Sequence, residues 1–165
     1  MMKTNIRKAT IEDVDLILFL IKELAIYEKE PDAAVATRED IINHGFGEKP
    51  YFHVLIVEYD NKPAGFAFYF FNYSTWLGKP GLYLEDLFVL TEFRKLGLGK
   101  SLLVRLAQIA VENNCGRFQW QVLDWNKPAI DFYESLGAYH LEEWYTYRIT
   151  GEPLLKLSQL EINSN

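Results

Sequence analysis

The chain has 165 residues, 49% hydrophobic and 15% aromatic, enough apolar material for one globular domain with its own core. Its 17 Lys and Arg against 23 Asp and Glu leave a net charge of −6, which argues against a nucleic-acid binder and allows a cationic ligand without requiring one. No apolar run is long enough to span a bilayer, the start M-M-K-T-N-I-R has no signal-peptide apolar region, and Cys115 is the single cysteine, so a cytoplasmic protein is expected.

Residues 5–9 read as a first strand, and Thr10 with Asp13 makes a capping-box start for a helix. Val14, Ile17, Leu18, Ile21, Leu24 and Ala25 recur at helical spacing and carry that helix to about Glu28, before Pro31 bars continuation. Thr37 as N-cap, with Asp40 three residues on, predicts a shorter helix over 37–44, ended by Gly45. Residues 52–59 and 62–72 read as strands joined by a hairpin turn at Asp60-Asn61, and 73–81, with Trp76, Gly78 and Pro80, as a loop. The run 82–90 is apolar except for Glu85 and Asp86, as a buried strand carrying a paired acidic site would be.

A short turn then leads through R-K-L-G-L-G, 94–99, into a helix with Leu102, Leu106, Ile109 and Ala110 on one face. A fifth strand is expected over 117–123, a helix over 128–136 stopped by Gly137, and strands over 139–149 and 154–157 completing the sheet. The polar tail 161–165 is expected to fray. With no internal repeat and no linker, the expectation is a single α/β (α+β) domain over 1–165.

Strand, glycine turn and helix in that order suit an anion, because the first helical turn leaves N–H groups unpaired at the positive end of the helix dipole. Gly97 and Gly99 let a pyrophosphate approach the main chain, and Arg94, Lys95 and Lys100 add positive charge. Two glycines at this spacing also serve tight helix packing. The segment is no Walker P-loop, and it lacks the third glycine of the dinucleotide fingerprint.

The E-D pair, R-x-x-G-x-G opening a helix, and N-x-P-A-x-x-F-Y-x-x-x-G at 126–137 together resemble the GNAT superfamily of acetyl-CoA-dependent N-acetyltransferases. I-K-E-L-A-x-Y-E at 21–28, G-F-G-E-x-P at 45–50 and L-Y-L-E-D at 82–86 resemble its diamine branch, the spermidine/spermine and thialysine N-acetyltransferases. The resemblance covers nearly the whole chain. It implies a mixed, mostly antiparallel sheet flanked by helices, with a splayed parallel strand pair that admits the pantetheine arm of acetyl-CoA. It also implies a small amine substrate and a homodimer paired through C-terminal strands such as 144–147.

By this resemblance the acetyl-CoA contacts fall on Leu87, Phe88 and Val89, on Arg94, Lys95, Leu96, Gly97, Leu98, Gly99 and Lys100, and on Asn126, Pro128, Ala129 and Tyr133. The amine site falls on Tyr27, Glu28, Trp76, Glu85, Asp86, Gln119, Trp120 and Gln121. From the residues alone, Tyr27 and Glu28 equally read as an interfacial tyrosine and a solvated acid, and Asn126 as a helix N-cap.

A primary ammonium has a pKa of roughly 10.4, so attack at neutral pH needs a base. Glu85 is the candidate, directly or through a water, because burial in an apolar strand raises a carboxyl pKa; the alternative is a structural acid. Asp86 points to the opposite face by period-two geometry, so the two are not expected to act as one dyad. A main-chain N–H between Leu87 and Val89 can stabilise charge developing on the acetyl carbonyl. Tyr133 matches the family's general acid for the leaving thiolate, although beside Phe132 on an amphipathic helix it also reads as core.

His44, His53 and His140 have no short ligand spacing, so no metal is expected. Cys115 has no neighbouring His to activate it, which leaves direct attack within a ternary complex. A catalytically silent acyl-CoA-binding domain is the alternative. Polyamine enzymes of this branch carry an aspartate two residues before the loop tryptophan, where this chain has Ser74. That loses an anchor for a distant second ammonium and raises thialysine and short diamines beside the long polyamines.

Overall fold

Apolar runs punctuated by turn residues become the strands β1 (Thr4–Lys8), β2 (His53–Tyr59), β3 (Lys62–Ser74), β4 (Lys79–Val89) and β5 (Arg117–Trp120) in the computed structural model, which describes residues 3–160. They form one sheet in the order β1-β2-β3-β4-β5. The first four strands pair antiparallel, and β5 runs parallel to β4. The chain divides into two units, Met1–Gln121, which holds this sheet, and Val122–Asn165.

The Asp60-Asn61 turn between β2 and β3 has φ values of 49° and 61°, the left-handed pair that a two-residue hairpin demands. The next hairpin is tighter than expected. β3 extends through Ser74 and β4 starts at Lys79, so the loop expected over 73–81 shrinks to 75–78. Cross-strand pairing of Tyr73 with Pro80 and Ser74 with Lys79 outweighs the turn-forming residues there. The turn closes through the Gly78 N–H donating to the Ser74 carbonyl at 2.9 Å and the Leu77 N–H to Ser74 Oγ at 3.2 Å.

Helix α2 (Arg38–Gly45) starts where its capping residues Thr37 and Asp40 predict, whereas the capping box of Thr10 and Asp13 opens a 3-10 turn, Ile11–Asp13, and α1 (Val14–Tyr27) follows it. The Asp13 carboxylate accepts the Thr10 N–H at 2.7 Å and both terminal nitrogens of Arg7 at 2.7 and 2.8 Å. Arg7 Nε in turn donates to Glu58 at 2.8 Å, which ties β1, β2 and the start of α1 together. These bonds, the one from Arg7 first, hold the Asp13 carboxyl at about 2.

Val14, Ile17, Leu20 and Leu24 of α1 pack with Ile41 of α2 and with Val54, Ile56, Phe66, Phe88 and Leu90. Leu55, Val57 and Ala67 alternate with these strand residues and are buried on the opposite face. Helix α3 (Leu98–Glu112) buries Leu98, Leu102, Leu106, Ile109 and Ala110, the face its periodicity marks.

The second unit contains α4 (Lys127–Ser135) and α5 (Gly151–Ser158). Here the expected sheet completion is corrected. The segment 154–157 lies in α5, where Glu152 pairs with Lys156 one turn later at 2.7 Å. Pro153 sits in the first turn of that helix, where its missing N–H costs no helical bond. Residues 139–149 form no strand. β-Favouring aromatics need a neighbouring strand to pair with, and their own unit supplies helices. Trp144, Tyr145 and Tyr147 are 69%, 85% and 91% exposed, so the strand through which two copies are expected to pair is absent. β5 also ends at Trp120 rather than at 123, and the tail 161–165 lies outside the described residues.

Candidate active site

Strand β4 is the axis on which the candidate residues are placed. Toward β3 its register steps from Phe68–Asp86 to Tyr69–Leu84, so Glu85 is an extra residue in a β-bulge. Toward β5 its pairing runs from Gly81–Arg117 only to Leu84–Trp120. From Glu85 to Val89, β4 therefore has no strand beside it on that side among the described residues. Alternate N–H groups of Leu87–Val89 point away from β3 toward this open edge. Gln119 and Trp120 stand on β5 opposite Tyr83 and Leu84, with Gln121 next in the chain, at the point where the two strands part.

The bulge redistributes side chains between the faces. Leu82, Leu84, Phe88 and Leu90 all have even numbers, and strict alternation would put them together. Instead Phe88 and Leu90 join the core under α1, whereas Leu84 lies opposite Tyr69 on the other face, which also carries Ala67 and Leu87. Asp86, opposite Phe68, falls on the α1 face. Its carboxyl pKa is pushed up to about 6, by burial first and then by the negative charges of Glu85 and Glu28. Glu85 itself is exposed. The expectation that Glu85 is the buried acid of the strand is thus corrected, because the desolvated carboxyl is that of Asp86. The two acids do not stand in electrostatic isolation, since the charge on Glu85 is felt at Asp86.

The C-terminal end of α1 supplies the next group. Tyr27 is its last residue, and the Glu28 N–H caps it by donating to the Leu24 carbonyl at 2.9 Å. A carboxylate at a helix C-terminus opposes the helix dipole, and burial raises the Glu28 pKa further. The Tyr27 ring lies 6.1 Å from that of Phe88. The Arg94 guanidinium sits over Tyr27 at 4.4 Å and 5.4 Å from Phe88, and its Nε donates to the Val89 carbonyl at 3.1 Å. Arg94 is therefore turned to the end of α1, while Lys95 and Lys100 remain exposed at the glycine turn.

Helix α3 begins at that turn. Gly97 caps it with φ of 78°, a left-handed conformation that strains any side chain. Gly99 has no such constraint, and a Cβ built there meets nothing closer than Leu87 Cδ2 at 3.7 Å. Neither backbone nor packing requires its bareness, which suits a bulky polar group laid against the first turn. The first helical bond runs from the Ser101 N–H to the Gly97 carbonyl at 3.0 Å. The N–H groups of Leu98, Gly99 and Lys100 precede it at the positive end of the helix, with Leu96 exposed just before.

Trp76 is not brought to this cluster. It stands 91% exposed at the hairpin tip, roughly 20 Å from Asp86 along β4 at strand rise. In the second unit, Asn126 caps α4 with its carbonyl, which accepts the N–H groups of Ala129 and Ile130 at 3.0 and 3.1 Å. Its side chain makes no capping bond. Pro128 and Ala129 form the first turn of α4, and Tyr133 is half-buried with its ring 5.5 Å from that of Phe132. Among the described residues no cluster of three or more His, Cys, Asp or Glu could hold a metal ion. The bulge and the orientation of Arg94 have no signature in the sequence, since neither changes a periodicity.

Residues 17–138 match the acetyltransferase (GNAT) family. The thialysine N-epsilon-acetyltransferase of Sus scrofa is 40% identical over 164 aligned residues, covering 93% of this chain and 96% of that one. The Homo sapiens spermidine/spermine N(1)-acetyltransferase-like protein 1 is 41% identical over 93% of this chain, which corresponds to 24% of that longer protein. Among solved structures, an integron cassette protein from the mobile metagenome of V. cholerae superposes with a TM-score of 0.81 at 30% identity, over 95% of this chain and 98% of that one.

Proposed function

The chain belongs to the acetyltransferase (GNAT) family, and from that premise we propose that it moves an acetyl group from acetyl-CoA to a primary amine of a small lysine-like, diamine or polyamine substrate, by direct attack in a ternary complex. The observation that carries this reading is one run of chain. The open edge of β4 over Glu85–Val89 leads into the bare first turn of α3, beside the carboxylates of Glu28, Glu85 and Asp86. The family match crosses the boundary after Gln121, which supports treating both units as one acetyltransferase domain.

Acetyl-CoA, when bound, supplies an acetyl group activated as a thioester. The N–H groups of Leu87–Val89 are donors for its pantetheine arm and acetyl oxygen. The first-turn amides of α3 with Lys95 and Lys100 suit its pyrophosphate, and the family resemblance assigns Asn126, Pro128 and Ala129 of the second unit to acetyl-CoA as well. Glu28 and Asp86 favour a cationic amine. Glu85, exposed at the bulge, takes the ammonium proton onto its carboxylate, directly or through a water. Tyr133 holds a proton on its Oη for the departing thiolate.

Within this class, lysine-like amines and short diamines fit better than spermine. Ser74 is 6% exposed, and its hydroxyl is engaged by the Leu77 N–H, so it offers no anchor for a remote ammonium. Rates of CoA release with thialysine, putrescine, spermidine and spermine test the reading, and thialysine or putrescine should give the highest kcat/KM. A preference for spermine would overturn the substrate assignment. Acetyl-CoA binding with no turnover on any amine would replace the enzyme by a binding domain.

A further inference from the structure

We infer that Phe52 is a positioning residue of the amine site: seated on the bare Cα of Gly45, it holds the Phe68 ring beside Asp86. Phe52 immediately precedes β2 and is buried in the core under α1. Its ring stacks on that of Phe68, with centroids 4.1 Å apart and planes 29° from parallel. Phe68 is the cross-strand partner of Asp86, and that spacing brings the two side chains together on the α1 face. Phe68 is only half-buried, and the stack gives it a fixed neighbour behind.

The seat of Phe52 is built by the G-F-G-E-x-P segment, residues 45–50, to which the proposed reaction gives no part. Gly45 closes α2 without a left-handed backbone angle to require it. A Cβ placed there would meet Cζ of Phe52 at 2.5 Å, so the ring occupies the space a side chain would need. Gly47 is bare for a like reason, since its Cβ would meet the Asn43 carbonyl oxygen at 2.7 Å. The Tyr51 N–H donates to the His44 carbonyl at 2.7 Å and closes the loop onto the end of α2. Both glycines therefore serve the approach of this loop to α2, and through it the placement of Phe52. The stacked rings keep water from the Asp86 carboxylate on its β3 side, and burial is the first cause of its raised pKa. The charged groups that reach it are Glu85 on its own strand and Glu28 at the end of α1, where Arg94 lies over Tyr27. β3 presents Phe66 and Phe68 on that face, neither of them titratable. This inference rests on the acetyltransferase reading above, which places the amine beside Asp86.

The test is a double-mutant cycle of Phe52→Leu and Phe68→Leu, with the amine KM for thialysine, putrescine and spermidine measured from about pH 5 to pH 8. Phe52→Leu should raise KM at pH 8 about 2–10-fold, the equivalent of one aromatic pair, with acetyl-CoA Kd in calorimetry within about threefold. The pH below which KM climbs should move down from about 6 toward the ordinary carboxylate range, as water reaches Asp86. In the Phe68→Leu background, Phe52→Leu should add nothing to either change. Val57→Ala, a core truncation on the opposite face of β2, should lower the melting temperature without moving the KM profile. An unmoved profile in Phe52→Leu, effects that add in the double variant, or the same shift in Val57→Ala would overturn the inference and leave the enzyme reading intact. A wild-type protein that acetylates none of the three amines overturns that reading, and the inference with it. Thermal unfolding is followed on each sample, and if Phe52→Leu or Phe68→Leu does not fold, Phe52→Met or Phe68→Met replaces it and is read by the same criteria.

Discussion

Asp86 and Glu85 are neighbours in the chain and differ in almost everything else. The residue types made both visible in the sequence as a pair of acids in an apolar strand. Which of them is desolvated was not legible, because it depends on the bulge that pairs Leu84 with Tyr69 and leaves Glu85 over. The consequence is measurable. The Asp86 pKa lies at about 6, above its ordinary 3.8, so its contribution to stability is fully present below 3.8 and is lost as the pH rises through about 6. Asp86→Asn should therefore raise the melting temperature at pH 7 by a few degrees and remove the decline in stability between those two pH values. The same change should raise the amine KM about tenfold at pH 7, and should abolish the rise in KM expected of the wild type below about pH 6. A variant with unaltered KM and pH dependence would place Asp86 outside the amine site.

Tyr133 poses the complementary case, in which packing and chemistry can be separated. Tyr133→Phe keeps the ring beside Phe132 and removes the phenolic hydroxyl. Turnover should fall by roughly 10²–10⁴-fold, with acetyl-CoA affinity and thermal stability unchanged. Near-native turnover would show that the tyrosine is merely packed.

At the scale of elements, the sequence was most legible where a local rule coincides with tertiary packing. Thr10 and Asp13 mark the 3-10 turn that leads into α1, Thr37 and Asp40 mark the start of α2, the Asp60-Asn61 turn adopts the left-handed pair it needs, and the periodicity of α3 marks its buried face. Elements whose identity depends on neighbours were less legible. Residues 139–149 carry strand-forming aromatics without a strand to pair with, and 154–157 follow a helical ion pair instead. The start of α3 has its own test. Gly99 lies at ordinary backbone angles with space for a Cβ, so Gly99→Val should leave the unfolding temperature within a few degrees of wild type. Its side chain would nonetheless stand between the first-turn amides and a pyrophosphate, and acetyl-CoA affinity should fall at least about tenfold. Undiminished affinity in calorimetry would remove the anion site from this turn.

For the whole molecule, the sheet order, the parting of β4 from β5 and the placement of α3 are consistent with one requirement: a ligand that takes hydrogen bonds from a strand edge and leaves its anionic end at a helix N-terminus. In the proposed reading the amine meets the carboxylates of Glu28, Glu85 and Asp86. In the function proposed here acetyl-CoA and amine are bound at once and no acyl-enzyme forms; burial raises the Cys115 thiol pKa and leaves less of the nucleophilic thiolate. The most direct measurement is therefore an initial-velocity matrix in which acetyl-CoA and thialysine are varied together. The account predicts double-reciprocal lines that intersect, as a ternary complex requires; parallel lines, the signature of an acetylated enzyme intermediate, would contradict it.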